Sequence, residues 1–111
     1  MQKLDLAFAA LADPTRRRIV ARLTRGHIRV TDLAQPFAMS LNAVSKHVKV
    51  LERAGLVRRE RQGREHYLSL RAAPLREINT WTAQYERFWT QRLDALDQFL
   101  QQQKESDHDG T

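Results

Sequence analysis

The chain has 111 residues, 41% of them apolar, and a formal net charge of +6; that suffices for one modest domain with a thin core. It holds no cysteine, which excludes disulfides, thiolate metal sites and thiol redox sensing, and no apolar run approaches the length of a membrane-spanning helix. The Met1-Gln2-Lys3-Leu4-Asp5 start lacks the basic-then-apolar layout of a secretion signal, so a cytoplasmic protein is expected. Charge is unevenly spread: residues 1–71 carry 15 Lys/Arg against 6 Asp/Glu, whereas residues 72–111 carry 4 against 7. The basic portion points towards nucleic acid.

Leu4, Phe8 and Leu11 recur at the spacing of one helical face and predict a first helix over 3–11. Asp13 is a good N-cap and Pro14 a good first helical residue, so a second helix starts there and closes at Gly26, with Ile19, Val20 and Leu23 inside. Thr31 opens a short third helix that Pro36 limits. Ser40 caps a fourth helix with the apolar stripe Leu41, Val44, Val48 and Leu51, ended by Gly55. The short helix, tight connection and longer helix read as a helix-turn-helix. Val57–Arg61 and Arg64–Leu70 flank a turn at Gln62-Gly63, and this basic hairpin reads as a wing. A long last helix starts at Pro74, with a weak cap at Ala73. The polar residues 101–111 lack aromatics and predict a disordered tail beyond a domain of residues 1–100. The fold class is mainly α with a small β-hairpin: about five helices plus a two-stranded wing.

The outer face of the fourth helix carries Asn42, Ser45, Lys46 and Lys49, and a helix fits the B-DNA major groove. A solvated face is the ordinary meaning of such residues; the cap, the wing and the basic charge favour contact with double-stranded DNA. Ser40 caps this helix and leaves N–H groups that suit a phosphate. Arg61 and Arg64 at the wing tip suit the DNA backbone, while one of Arg58 and Arg59 turns the other way and serves only to keep the strand soluble. Of Arg16, Arg17 and Arg18, at least one pairs with Asp13 or a neighbour. His47 and His66 read as packed structural residues. Asp107-His108-Asp109 hints at a metal, but adjacent residues in a floppy tail cannot preorganise a site.

Leu11-Ala-Asp-Pro-Thr-Arg-Arg-Arg-Ile-Val20, Ser40-Leu-Asn-Ala-Val-Ser-Lys-His-Val-Lys-Val-Leu-Glu-Arg-Ala-Gly-Leu-Val57 and Arg61-Gln-Gly-Arg-Glu-His-Tyr-Leu-Ser-Leu70 resemble the ArsR-type winged-helix repressors, in unbroken order over roughly residues 3–100. The resemblance implies a homodimer joined through its first and last helices and a promoter site with two-fold symmetry, usually repressed. Two family patterns are missing. Val30-Thr-Asp-Leu-Ala34 has no thiol pair, and no histidine lies between Pro74 and Gln103. The chain is therefore similar to the metal-independent members, with no cofactor and no metal, and with room for a small-molecule effector of unidentified chemistry.

Trp81, Tyr85, Phe88 and Trp89 crowd nine residues of the last helix. Such density suits the buried centre of an interface better than a ligand pocket at its edge. The expected dimer surface is Leu4, Phe8 and Leu11 with Trp81, Tyr85, Trp89, Leu96 and Phe99. No Gly-rich phosphate loop and no HExxH occurs, so an enzyme is not expected. The competing function is a winged-helix module acting through protein–protein contact, against which the basic 1–71 region argues; an RNA role lacks the aromatic platforms that single strands need.

Overall fold

The computed structural model describes the backbone of residues 2–109 and the side chains of residues 2–105. The element order is α1 (Lys3–Leu11), α2 (Pro14–Leu23), β1 (Ile28–Arg29), α3 (Val30–Ala34), α4 (Leu41–Arg53), β2 (Val57–Gln62), β3 (Glu65–Leu70) and α5 (Ala72–Asp109). Residues through Ile78 form one compact unit and those from Asn79 another.

Local chemistry sets the helix starts. The Asp13 carboxylate accepts the Arg16 N–H at 3.0 Å, and Pro14 occupies the first turn of α2, where its missing N–H costs nothing. Ser40 Oγ accepts the Ala43 N–H at 3.1 Å at the head of α4. Gly55 takes φ +74° just after α4, and Gly63 takes φ +65° in the wing turn, a region costly for any residue with a Cβ. Thr31 does not cap α3. That helix begins at Val30, two residues before the Asp32 start that a Thr31 cap would give, with no side-chain cap at Arg29, and Asp32 in its first turn binds the Arg29 guanidinium instead.

The hairpin belongs to a three-stranded antiparallel sheet in the order β1-β3-β2, one strand more than the two-stranded wing expected from sequence. The added strand is only Ile28 and Arg29, paired to Leu68 and Tyr67. Ile19, Leu33, Val44, Val48, Leu51, Leu56 and Leu68 are fully buried at the centre of the first unit, each such side chain contributing roughly 1.5–3 kcal/mol. α1 meets this core through Ala7 and Ala10, at 0% and 1% exposure, with Leu6 and Leu11 packed beside them. Small residues let it sit close to α2 and α4. Leu4 and Phe8 are half-buried and lie outside the core cluster.

α5 begins at Ala72, two residues before Pro74. Proline is tolerated there because the first N–H groups of a helix have no internal acceptor. The helix continues through residues 101–109, where a disordered tail was expected. Gln, Lys and Glu are good helix formers, and extending an existing helix avoids the cost of nucleation. The side chains of Asp107, His108 and Asp109 lie outside the described residues. Among the described residues, no helix is long and apolar enough to cross a membrane.

Candidate nucleic-acid interface

α4 separates two faces. Val44, Val48 and Leu51 are at 0% exposure on its inner side. Asn42, Lys46 and Lys49 are exposed on its outer side, Ser40 is exposed at its head, and Ser45 is half-buried between the faces. Both lysines lack any ion-pair partner among the described residues, so their charge is available to an anion.

Leu41 departs from the apolar stripe expected of this helix. It is 48% exposed although it stands two turns before Val48 on the same line. The cause lies along the helix axis. Side chains tilt towards the helix N-terminus, so the first helical residue points beyond the buried stripe rather than into it. Met39, in the Pro36–Ser40 connection, is 41% exposed.

The network behind α4 holds it in place. The Arg16 guanidinium donates from Nε to the Ala10 carbonyl at 2.6 Å and from Nη2 to the Ala9 carbonyl at 3.2 Å, and Arg17 Nη1 donates to the carbonyls of Leu11 and Ala12 at 2.8 and 3.0 Å. The arginine run is thus a cap for the C-terminal end of α1, where cations and the helix dipole agree. Arg16 Nη1 also meets His47 Nδ1 at 3.3 Å, with Asp13 Oδ2 at 3.8 Å from the same nitrogen. A guanidinium only donates, so this bond needs Nδ1 as acceptor and the ring proton on Nε2. Asp13 titrates below the usual carboxylate range, first because it accepts the Arg16 N–H and, against partial burial, because His47 and Arg16 lie close. Arg18 stacks on Phe37 with its guanidinium carbon 4.7 Å from the ring centre.

The wing has one core face and one open face. Val57 opposite Leu70 and Arg59 opposite Leu68 line its base; the same face continues at the tip as Arg61 opposite His66, beyond the end of the core. His66 is accordingly exposed rather than packed. Arg59 turns back to Glu52 at 3.1 Å and ties the wing to α4, while Arg58 faces solvent on the opposite side. Arg61 Nε donates to the Gly63 carbonyl at 2.9 Å across the turn, and its remaining donors are unclaimed among the described residues. Arg64 is exposed beside an open cleft of about 230 Å³ that Thr31, Arg59 and His66 also line.

The wing base is braced by a second ionic cluster. Arg29 pairs with Asp32 and with Glu65, each at 2.8 Å, and both partners raise its pKa further. Tyr67 donates its hydroxyl to Glu65 at 3.1 Å, which holds the phenol above its ordinary pKa. Sequence alone missed this cluster, because its members lie on β1, α3 and β3.

The second unit, taken alone, is the rest of α5. Trp81 and Tyr85 rings lie 4.8 Å apart, Phe88 and Trp89 rings 6.0 Å apart, and Arg92 stacks over Phe88 at 4.8 Å. Trp81, Tyr85, Trp89, Leu96 and Phe99 of the expected dimer surface are all exposed, with Phe88, Leu93 and Leu100 beside them. Of its members on α1, Leu11 packs against the core of the first unit, and Leu4 and Phe8 are half-buried.

Residues 11–60 match a family model described as a helix-turn-helix domain. The chain is 40% identical to the HTH-type transcriptional regulator Rv2034 of Mycobacterium tuberculosis over 86% of its own length and 87% of that protein's. It is 32% identical to the transcriptional repressor SdpR of Bacillus subtilis over 70% and 87% of the two chains. Among solved structures, an ArsR family transcriptional regulator superposes with a TM-score of 0.73 at 39% identity, covering 79% of this chain and 91% of that one. An ArsR-like transcriptional regulator from Rhodococcus sp. RHA1 follows at 0.68 and 32% identity, covering 87% and 92%. With a buried-stripe α4, a basic wing and these relatives, the chain belongs to the ArsR-type helix-turn-helix family of DNA-binding transcriptional regulators.

Proposed function

We propose that two copies of this chain pair through α1 and α5 and repress transcription by occupying a two-fold symmetric operator in the cytoplasm. In each copy α4 is the recognition helix: Asn42, Ser45 and Lys46 meet base edges, with Ser40 and Lys49 beside them at the backbone or the groove, and Arg61 and Arg64 of the wing hold phosphates. Pairing sets the half-sites about one helical turn, roughly 10 base pairs, apart or at a multiple of that spacing.

The observation that carries the dimer is the apolar surface of α5. Trp81, Tyr85, Phe88, Trp89, Leu93, Leu96, Phe99 and Leu100 are between 41% and 60% exposed in the single chain. A contiguous apolar patch on this scale marks a contact surface. Repression is supported by the likeness to a protein named as a repressor.

The test is recovery of genomic fragments by the purified protein, followed by sedimentation of the protein alone and with the recovered site. Two chains per palindromic fragment, and a dimer without DNA, are expected. A monomer at micromolar concentration overturns the pairing. Recovery of no enriched sequence, with tight salt-insensitive capture of a protein instead, favours an interaction module.

A further inference from the structure

We infer that Leu41 is a base-reading residue, which recognises the C5-methyl group of a thymine in each half-site. This rests on the reading of α4 as the recognition helix. Large apolar side chains exposed among the described residues fall in two places: along α5, and at Met39 and Leu41 around the Ser40 cap. The first group has a proposed cover in the second copy. Leu41 lies on another element, at the leading end of α4, and the core that buries Val44, Val48 and Leu51 does not reach it.

The leading end of a recognition helix is the part that enters the major groove. Leu41 is its first helical residue, adjacent in sequence to Asn42 and one turn ahead of Ser45 on the same side. Its tilt towards the N-terminus carries the isobutyl group past the helix end. Among the base edges lining the major groove, the thymine methyl is the apolar one, and apolar side chains recognise it by contact. A solvent-exposed leucine gains nothing where it stands; against a methyl group both surfaces leave water. Its neighbours Asn42, Ser45 and Lys46 supply hydrogen-bonding groups, so Leu41 adds the kind of readout they lack.

The experiment uses the full chain and the operator obtained by selection from random duplexes. Each thymine is replaced in turn, in both half-sites, by deoxyuridine, which removes only the methyl group. One methyl contact per half-site corresponds to about fourfold, so replacing both weakens wild type about fifteenfold at one position. Leu41→Ala is expected to bind the unmodified operator that much more weakly, to lose the uracil effect at that position alone, and to bind scrambled duplex as wild type does. An unchanged melting temperature shows that the variant is folded. The inference is overturned if no thymine position responds in wild type, if Leu41→Ala keeps the same uracil sensitivity, or if the variant loses affinity for operator and scrambled duplex equally. Failure of the wild type to select any sequence would instead overturn the reading of α4 on which this rests.

Discussion

Arg16 on α2 meets His47 on α4 at 3.3 Å while its other nitrogens hold the last carbonyls of α1, so a single guanidinium joins three helices. Arg16→Ala removes charge-assisted bonds and takes the side-chain donor from the part-buried Ala10 carbonyl, while the exposed Ala9 carbonyl keeps the Ala12 N–H. It should cost about 1–3 kcal/mol of stability, read by chemical denaturation. Arg17→Ala, whose bonds are solvent-exposed, should cost less. Equal losses would show that the Arg16 junction has no special weight.

Ser40 has a structural duty that is separable from DNA contact. Ser40→Ala should lose about 1 kcal/mol with the cap. Ser40→Asp should restore stability, since aspartate caps equally well, yet weaken DNA binding by placing a carboxylate where phosphates approach. Denaturation and duplex binding of the two variants check this. An aspartate variant that binds like wild type would place Ser40 away from the DNA.

Asp13 links stability to acid. Its folded pKa lies below the ordinary 3.8, so it binds its proton more weakly folded than unfolded. The resulting stabilisation is present in full above the unfolded value and is lost as pH falls through the lower folded one. Asp13→Asn keeps a capping oxygen but does not titrate. The variant should therefore melt below wild type near neutral pH, with the gap narrowing as pH drops below about 3.9. A constant gap would show that the carboxylate charge adds nothing.

Trp89 is 60% exposed in the single chain. If the second copy covers it, Trp89→Ala should weaken the dimer by an amount on the order of 3–5 kcal/mol, as for a buried aromatic, and sedimentation over a concentration series reads the change. An unaltered dissociation constant would move the interface elsewhere.

Much of the fold is legible in local punctuation. Asp13-Pro14, Ser40, Gly55 and Gly63 act within a few residues of themselves, and the structure uses each at the boundary that its chemistry suggests. What sequence reading missed depends on distant partners. Ile28 and Arg29 become a strand only by pairing with β3 some forty residues on, and the Arg29–Asp32–Glu65 cluster needs that pairing. Helical spacing put Leu41 in the buried stripe, yet it is 48% exposed, because periodicity says nothing of where the core ends along the axis. On α1 it favoured the large Leu4 and Phe8 over the small Ala7 and Ala10, which are the residues buried. The outer face of α4 was readable because the residues opposite a buried stripe must face outward. The Arg59–Glu52 tie was not, since it spans two elements.

A division of labour between α4 and the wing, one reading bases and the other holding the backbone, is separable by affinity against salt. The measurement compares wild type, Lys46→Ala and Arg64→Ala on the selected operator and on scrambled duplex. Lys46→Ala should cost roughly 1–3 kcal/mol on the operator and relax selectivity at one base pair of each half-site. Arg64→Ala should weaken both duplexes alike and reduce the salt slope by about one counterion per lost contact in each subunit. If Lys46→Ala weakens both duplexes equally while Arg64→Ala changes neither, α4 does not read and the wing does not hold.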